Sequence, residues 1–254
     1  MKNPDCFLTN LAKFFQTYFL TETKIYQEIV QSITDNCYDY DEIYQKLGIE
    51  KSGIISDYLE DLEKSGFIRR DFTWHLKTGK TSKLSKFRIN DNYLRFYLKY
   101  ILPNKDKIIR NAFEKVALTL LPGWESIMGL QFENLVLNNR PLLHELLGIK
   151  PEEIVNDNPF FQRKTTQQEG CQIDYLIQTR FDTLYICEIK FSRHPVKIDV
   201  ISEVKEKIKR LKTPRNVSRR PVLIHVNGVV EDVLETQYFS NIIDFGQLLE
   251  HKNT

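Results

Sequence analysis

CQIDYLIQTRFDTLYICEIKF, residues 171–191, contains two apolar runs that are separated by a short polar turn. The turn is centred near Phe181, so the two runs are predicted to form an antiparallel hairpin. Opposed residues of such a hairpin lie at equal distances from its turn centre. Asp174 and Glu188 are each seven residues from Phe181. The two carboxylates are therefore predicted to face each other, with Cβ atoms roughly 4.5–5.5 Å apart.

The hairpin is predicted to have one charged and one apolar face. Side chains alternate along a strand, so Asp174, Glu188 and Lys190 project from the same face. A shift of one residue in the pairing would exchange the two faces, which makes the predicted register strongly specified. The apolar face consists of Ile173, Tyr175, Ile177, Tyr185, Cys187 and Ile189.

Two opposed carboxylates have two physical explanations. They repel each other, and one would ordinarily be forced to hold a proton. A hard divalent cation removes that repulsion, since Mg²⁺ takes oxygen ligands and often only one or two carboxylates. Lys190 can then polarise a water or stabilise a pentavalent phosphate. The alternative is a structural salt-bridge cluster in which Lys190 pairs with Glu188 or Asp174.

Residues 24–102 are predicted to form a winged helix-turn-helix domain. Three helices come first, the second ending at Gly48 and the third capped by Ser52. Two wing strands follow, Phe67–Asp71 and Lys86–Ile89. Three helices followed by a hairpin, with the third helix in the reading position, are typical of this domain.

The charge of this domain favours contact with DNA through the wing. The third helix is acidic and would repel phosphates, whereas the wing is basic and phosphate contacts need charge rather than sequence. The alternative is a protein-docking or spacer domain with a solvated basic loop. The wing residues that are predicted to contact nucleic acid are Arg69, Arg70, Lys77, Lys80 and Lys83.

TGKTS at 78–82 is similar to the end of a phosphate-binding P-loop. The full pattern requires a glycine five residues before Gly79, and that position is Trp74. No apolar strand leads into the segment and no helix follows it. We therefore expect a flexible wing tip and no nucleotide cofactor.

The second half of the chain has a different order of elements. A linking helix is predicted over 103–123, and Pro122-Gly123 marks the start of a second domain at 124–254. Helix, three strands, helix and strand form an α/β sandwich with a mixed sheet, so the chain combines α+β and α/β parts. The predicted elements are a helix from Trp124 to about Asn139, a strand near Phe160–Lys164, the hairpin, a helix over about Val196–Leu211, strands Pro221–Val226 and Asn241–Phe245, and a final helix.

Positive charge is concentrated after the hairpin. Residues 190–220 contain eleven Lys and Arg but three acids, whereas the net charge of the whole chain is +2. These side chains either line the approach of a phosphate backbone or form a solvated helix face. The residues that are predicted to contact nucleic acid are Lys205, Lys209, Arg215, Arg219 and Arg220.

The bulk composition fits a soluble globular protein, with 41% apolar and 28% charged residues in 254. Four scattered cysteines suggest reduced thiols in the cytoplasm rather than a zinc site. The segment 1–23 contains an apolar stretch, Phe7–Leu20, which is shorter than the roughly 20 residues of a membrane span. It is predicted to be an amphipathic interaction helix that packs on the chain, forms a homodimer or contacts a separate ATPase.

The motif Asp, thirteen residues, Glu-x-Lys resembles that of the PD-(D/E)xK nuclease superfamily, whose restriction-endonuclease-like core has the order αβββαβ. The resemblance implies that Asp174 and Glu188 bind Mg²⁺ or Mn²⁺ and that Lys190 is catalytic. It also implies that Glu133, in GLQFENLV, completes the catalytic and metal-binding set. Gly129, one turn earlier, would let that helix face approach closely. No proline precedes Asp174, which is a departure from the motif.

The wider chain resembles the C-terminal half of archaeal-type AAA ATPases, which have a winged helix followed by a nuclease-like domain. The resemblance covers about residues 24–250 and rests on FRINDNYLRFYLKYILPN, GLQFENLV and the IDYLI/CEIKF pair. The P-loop ATPase is missing, so we expect a stand-alone relative or a split gene product. The implied function is a DNA-binding, metal-dependent nuclease. The alternatives are a non-catalytic DNA-binding or regulatory module and a docking partner of a separate ATPase.

Overall fold

A computed structural model describes residues 23–51, 53–113 and 116–246. They form two compact units of mixed α and β structure. The described part of the first unit comprises 23–70 and 87–105, and that of the second comprises 71–86 and 106–246. The predictions for residues 1–22 of the segment 1–23, for the Ser52 cap and for the final helix lie outside the described residues. Within the described ranges, no helix is long and apolar enough to cross a membrane.

The first unit contains three helices, the base of a two-stranded hairpin and a fourth helix. The second helix begins at a capping box in which Asp39 and Glu42 each accept a hydrogen bond from the other's backbone N–H. It ends at Gly48, whose φ of 66° is readily adopted by glycine. The core of the unit is formed by side chains such as Ile29, Ile33 and Leu59. The elements are α1 (Thr23–Ser32), α2 (Tyr40–Leu47), α3 (Gly53–Lys64), β1 (Ile68–Trp74), β2 (Thr81–Ile89) and α4 (Asn92–Phe96), which continues in π-helical and 3-10 turns to Asn104.

The β1–β2 hairpin is longer than the predicted wing, and its outer part, Asp71–Lys86, belongs to the second unit. Trp74 and Leu76 are buried there in a cluster that includes Leu176 and Leu184. Trp74 Nε1 donates a hydrogen bond to Gln178 Oε1 at 2.6 Å, and Gln178 Nε2 donates to the Leu76 carbonyl at 2.8 Å. The prediction of a flexible tip is therefore wrong.

The turn of the hairpin is also held in place. Asn156 Nδ2 donates to the carbonyl oxygen of Gly79 at 2.9 Å. A Cβ atom at Gly79 would lie 2.9 Å from Val155 Cγ1, and the φ of 69° further disfavours any other residue. The glycine of TGKTS is thus needed for a close-packed turn, which gives this segment a structural explanation.

The predicted linking helix over 103–123 is largely absent from the described residues of that range, which are 103–113 and 116–123. A five-residue helix, α5 (Lys105–Ile109), ends where Asn111 takes a left-handed φ of 56°. The backbone N–H of Ala112 then donates to the Lys107 carbonyl at 2.9 Å and closes the helix. A 3-10 turn, Leu118–Leu120, precedes the next helix.

The second unit is built on a five-stranded mixed sheet, whose strands in spatial order are β3 (Ile154–Gln162), β4 (Cys171–Thr179), β5 (Thr183–Lys190), β6 (Ser218–His225) and β7 (Asn241–Asp244). The first three strands are antiparallel, and β5, β6 and β7 are parallel. The order of the main elements agrees with that predicted, whereas two short helices, α7 (Arg140–Leu146) and α9 (Glu231–Glu235), were not predicted. The elements are α6 (Trp124–Asn138), α7 (Arg140–Leu146), β3 (Ile154–Gln162), β4 (Cys171–Thr179), β5 (Thr183–Lys190), α8 (Asp199–Arg210), β6 (Ser218–His225), α9 (Glu231–Glu235) and β7 (Asn241–Asp244).

The register of the central hairpin is the predicted one. Thr179 pairs with Thr183 across Phe181, and the pairing continues outward to Tyr175 with Cys187. One face of the sheet, which includes Tyr175 and Cys187, packs against α6. The other face is covered by α8. The sequence pattern therefore fixes which side chains reach α8.

Candidate active site

Asp174 occupies the position where the paired part of β4 and β5 ends. The next residues beyond the pair Tyr175–Cys187 are Asp174 and Glu188. The backbone N–H of Ile189 donates to the Asp174 carboxylate rather than to a backbone carbonyl, with Oδ2 at 2.9 Å. This hydrogen bond holds Asp174 against β5 and leaves its other oxygen, Oδ1, available to a cation.

A lysine of α8 lies between the two carboxylates. Lys207 Nζ is 3.3 Å from Asp174 Oδ1 and 2.5 Å from Glu188 Oε2. The Glu188 side chain is only 4% exposed, whereas that of Lys207 is 30% exposed. The two acids that were predicted to face each other therefore share one positive charge.

Lys190 contacts the second oxygen of Glu188. Its Nζ lies 3.1 Å from Glu188 Oε1 and 2.7 Å from Glu203 Oε2, which comes from α8. We call the five side chains the carboxylate–lysine cluster. It contains three acids and two bases, and its members are Asp174, Glu188, Lys190, Glu203 and Lys207.

Sequence reasoning assigned Lys207 to a solvated or phosphate-facing basic helix, so its place in the cluster was missed. The sequence nevertheless contains a pattern that indicates the position of Lys207. Lys207 lies three residues after Val204 and four before Leu211, which is the spacing of one helix face. Both of those apolar residues are buried. A lysine in a buried stripe requires a partner, and the hairpin carboxylates provide it.

The pKa directions in the cluster reflect both burial and the excess of acids over bases. Burial and the neighbouring Asp174 raise the pKa of Glu188, although Lys207 and Lys190 oppose that rise. Burial alone would lower the pKa of Lys207, but Asp174 and Glu188 raise it above its ordinary value. The pKa of Lys190 is also raised, because Glu188 and Glu203 outweigh its burial. The cluster would therefore be stabilised by additional positive charge.

The donor set of the cluster fits a divalent cation in part. Asp174 Oδ1 and Glu188 Oε2 converge on one cationic group, and carboxylate oxygens are the ligands that Mg²⁺ and Mn²⁺ prefer. In the described ranges, no three His, Cys, Asp or Glu side chains come together as a metal-binding group.

Glu133, the third predicted ligand, lies half-buried on α6, and its role remains a prediction. Its helix packs through Phe132 and Val136 on the apolar face of the sheet. An added Cβ at Gly129 would meet nothing within 4 Å. The close approach that was predicted for this glycine is therefore not required.

The basic residues that were predicted to bind nucleic acid are mostly exposed. Arg70 is the exception, since it is half-buried with its guanidinium 4.9 Å from the Tyr40 ring and 5.3 Å from the Phe87 ring, which gives it a packing role. Arg219 lies four residues before Leu223, the β6 partner of Glu188, so it is about 13 Å from the cluster along the strand. The exposed residues are Arg69, Lys77, Lys80, Lys83, Lys205, Lys209, Arg215, Arg219 and Arg220.

A second polar network, which sequence reasoning did not find, lies on the other face of β4. Tyr175 OH donates to Asp157 Oδ2 at 2.6 Å and lies 2.7 Å from His144 Nε2. Since the hydroxyl proton goes to Asp157, Nε2 is the donor to Tyr175. Arg140 Nη1 is 3.5 Å from Asp157 Oδ2. His144 and Asp157 line a surface cleft of about 800 Å³. The network satisfies a buried phenol and fixes α7 on the sheet.

Glu188→Gln is expected to leave the metal-free protein at least as stable as the wild type at pH 8. A carboxyl whose pKa is raised by folding favours the folded state below its ordinary pKa and loses that contribution as pH rises through the folded value. The neutral amide removes this cost and can still accept from Lys207. Urea unfolding in EDTA should show the difference between variant and wild type growing from pH 5 to pH 8. A favourable buried ion pair would instead make the substitution cost about 3–5 kcal/mol.

Comparison with known proteins gives a partial match to an uncharacterized protein. No family model matches the chain. The chain is similar to the uncharacterized protein MJECL04 of Methanocaldococcus jannaschii, with 30% identity over 114 residues. The match covers 45% of this chain and 25% of that relative. The matched region thus spans about a quarter of the relative's length.

Proposed function

We propose that the chain is a divalent-metal-dependent nuclease of the PD-(D/E)xK type that acts on DNA. This proposal rests mainly on one observation. Asp174 Oδ1 and Glu188 Oε2 contact the same cationic group, at 3.3 and 2.5 Å, and Lys190 lies beside them on the same face of the sheet. A cation-binding pair of carboxylates with an adjacent lysine, at the ends of paired strands, suits phosphodiester hydrolysis.

The proposed roles follow from the surroundings of each side chain. Asp174 and Glu188 would hold Mg²⁺ or Mn²⁺, and Glu133 would complete the set. The bound cation would supply Lewis-acid activation of the phosphate and of a water. Lys190 is held by two carboxylates, and its raised pKa keeps it protonated. Lys190 therefore acts as a positive charge on the scissile phosphate rather than as a base that accepts a proton.

Nucleic acid binding would depend on backbone charge. Nine of the ten predicted contact residues are exposed, and Arg219 and Arg220 lie on the strand that pairs with β5. The acidic α3 is engaged within its own unit, since Asp61 accepts from Tyr26 and Glu63 accepts the backbone N–H of Arg70. We therefore expect binding that weakens steeply with salt and depends little on sequence.

The proposed fold assignment is a winged helix-turn-helix followed by an αβββαβ nuclease-like core. Three helices and a hairpin in the first unit support the former, and the sheet order with its two covering helices supports the latter. Because the outer part of the β1–β2 hairpin, Asp71–Lys86, belongs to the second unit, the way in which the wing residues are expected to contact DNA also changes. Lys77, Lys80 and Lys83 belong to the same unit as the cluster, so they would contact DNA together with it.

A second candidate function is a non-catalytic DNA-binding module, or a docking partner of a separate ATPase, that retains the nuclease fold. The position of Lys207 favours this alternative, because its ammonium already lies between the two carboxylates. A buried ion-pair cluster of this kind can be a purely structural element. In either case we expect the protein to work in the cytoplasm.

The wild-type protein tests the proposal directly. We expect it to nick or degrade DNA with Mg²⁺ or Mn²⁺ and to be inactive in EDTA. Ca²⁺ should bind but support little turnover, since it is larger and less demanding in geometry. Duplex, single-stranded DNA and RNA should be compared in one assay. Absence of cleavage of all three, with a melting temperature that Mn²⁺ does not change, would favour the binding module.

A further inference from the structure

The Lys207 ammonium occupies the place that a divalent cation would need. It contacts one oxygen of each proposed ligand, Asp174 Oδ1 and Glu188 Oε2. Lys190 differs from it in geometry, because Lys190 contacts Glu188 through the other oxygen, Oε1, and does not bridge to Asp174. The two lysines therefore carry the same charge in the same cluster, but only Lys207 lies between the two carboxylates.

A buried carboxylate cannot remain unpaired at low cost, which explains why the lysine is there. Glu188 is almost fully buried, and Asp174 adds a like charge beside it. Removing the partner of a buried charge is strongly destabilising. Lys207 thus stabilises the metal-free cluster. The same contact makes it a competitor, since a cation and an ammonium cannot both occupy the space between these oxygens.

The Lys207 side chain has a route out of the cluster. It is 30% exposed and lies at the edge of the buried face of α8, because Leu211, four residues later, is buried and Arg210, three residues later, is exposed. A long flexible side chain of this kind can place its ammonium in water while its methylene groups remain packed. The lysine can therefore leave the carboxylates without unfolding the helix.

We propose that Lys207 is a built-in counter-ion that a divalent cation must displace, so that it lowers the cation affinity of the site in the resting protein. This inference rests on the proposed metal site. It adds that the resting protein is held in a low-affinity state by its own side chain. Removal of that side chain should create a tighter site, although it removes a contact from the folded protein.

Lys207→Met tests the inference, with Lys190→Met as the matched control in the cluster and Lys197→Met as an exposed control near the start of α8. Methionine keeps the side chain up to the position of the terminal ammonium and removes the charge. Isothermal titration with MnCl₂ should give a dissociation constant at least about tenfold lower for Lys207→Met than for the wild type. The melting temperature of this variant should be lowered in EDTA and raised by Mn²⁺ more than that of the wild type.

The two controls distinguish occupation of the space between the carboxylates from a general effect of positive charge on Mn²⁺ binding. Lys190→Met should tighten Mn²⁺ binding much less than Lys207→Met, and Lys197→Met should not change it. Equal tightening in both cluster variants would overturn the inference, because charge alone would then explain it. Unchanged or weaker binding in Lys207→Met, with clear binding in the wild type, would overturn the inference and leave the nuclease proposal intact. Absence of Mn²⁺ binding in the wild type and in Lys207→Met would overturn both.

Discussion

Asp174→Asn is expected to reduce metal-dependent DNA cleavage by on the order of a thousandfold or more. Asparagine keeps a carbonyl oxygen that can accept the N–H of Ile189, so the junction of β4 and β5 should be preserved. The substitution removes the negative charge that would bind the cation. This variant therefore removes the ligand charge while the fold is preserved. Initial rates of plasmid nicking in Mn²⁺ measure the effect on cleavage.

Glu206→Gln is the matched control for this prediction. Glu206 lies on α8 and pairs with Arg210 at 2.9 Å, with its side chain 47% exposed. It carries the same charge change near the site but contacts none of the cluster acids. We expect its rate to stay within a factor of a few of the wild type. Retention of full cleavage in Asp174→Asn would contradict the proposed role of this carboxylate.

Trp74→Ala is expected to destabilise the second unit by about 3–5 kcal/mol, the usual cost of truncating a large buried aromatic residue. Trp74 is 4% exposed and packs edge-on against Phe160, with ring centroids 5.2 Å apart. Its indole N–H also donates to Gln178, which would lose a partner. Urea unfolding followed by circular dichroism measures the loss.

Two further substitutions identify the cause of that loss. Trp74→Phe keeps an aromatic ring but removes the hydrogen bond, so it should cost less than Trp74→Ala. Lys77→Ala, at an exposed position of the same hairpin, should change stability by no more than about 0.5 kcal/mol. If Trp74→Ala costs no more than Lys77→Ala, the outer hairpin does not pack on the sheet in solution.

The hairpin could be predicted because its determinants are local. The turn at Phe181 and the alternation of apolar side chains specify one register, and a shift of one residue would place Asp174 and Glu188 in the apolar core. The observed pairs from Thr179–Thr183 to Tyr175–Cys187 are those predicted. Local signals of this kind are sufficient wherever one face of a strand is buried.

Lys207 and the hairpin tip could not be placed by the same reasoning. The partner of Trp74 is Gln178, which lies 104 residues later in the sequence, so no local pattern connects them. Lys207 belongs to a run of basic residues, and charge alone assigns such a run to solvent. Its position in the stripe of Val204 and Leu211 shows that burial depends on helix periodicity as well as on residue type.

The linking helix was overpredicted for a related reason. Residues 105–121 are rich in good helix formers, which favours a continuous helix by propensity. The chain instead takes a left-handed conformation at Asn111, and asparagine is one of the residues that adopts it readily. Propensity sums do not detect such a single-residue stop.

Anomalous diffraction from Mn²⁺-soaked crystals of the full chain is the most direct test of whether the two hairpin carboxylates bind a metal ion. We expect a manganese peak within coordination distance of an oxygen of Asp174 and an oxygen of Glu188, with Lys207 Nζ moved away from both carboxylates. No peak at saturating Mn²⁺, with Lys207 still bridging Asp174 and Glu188, would contradict the metal site and leave a structural ion-pair cluster.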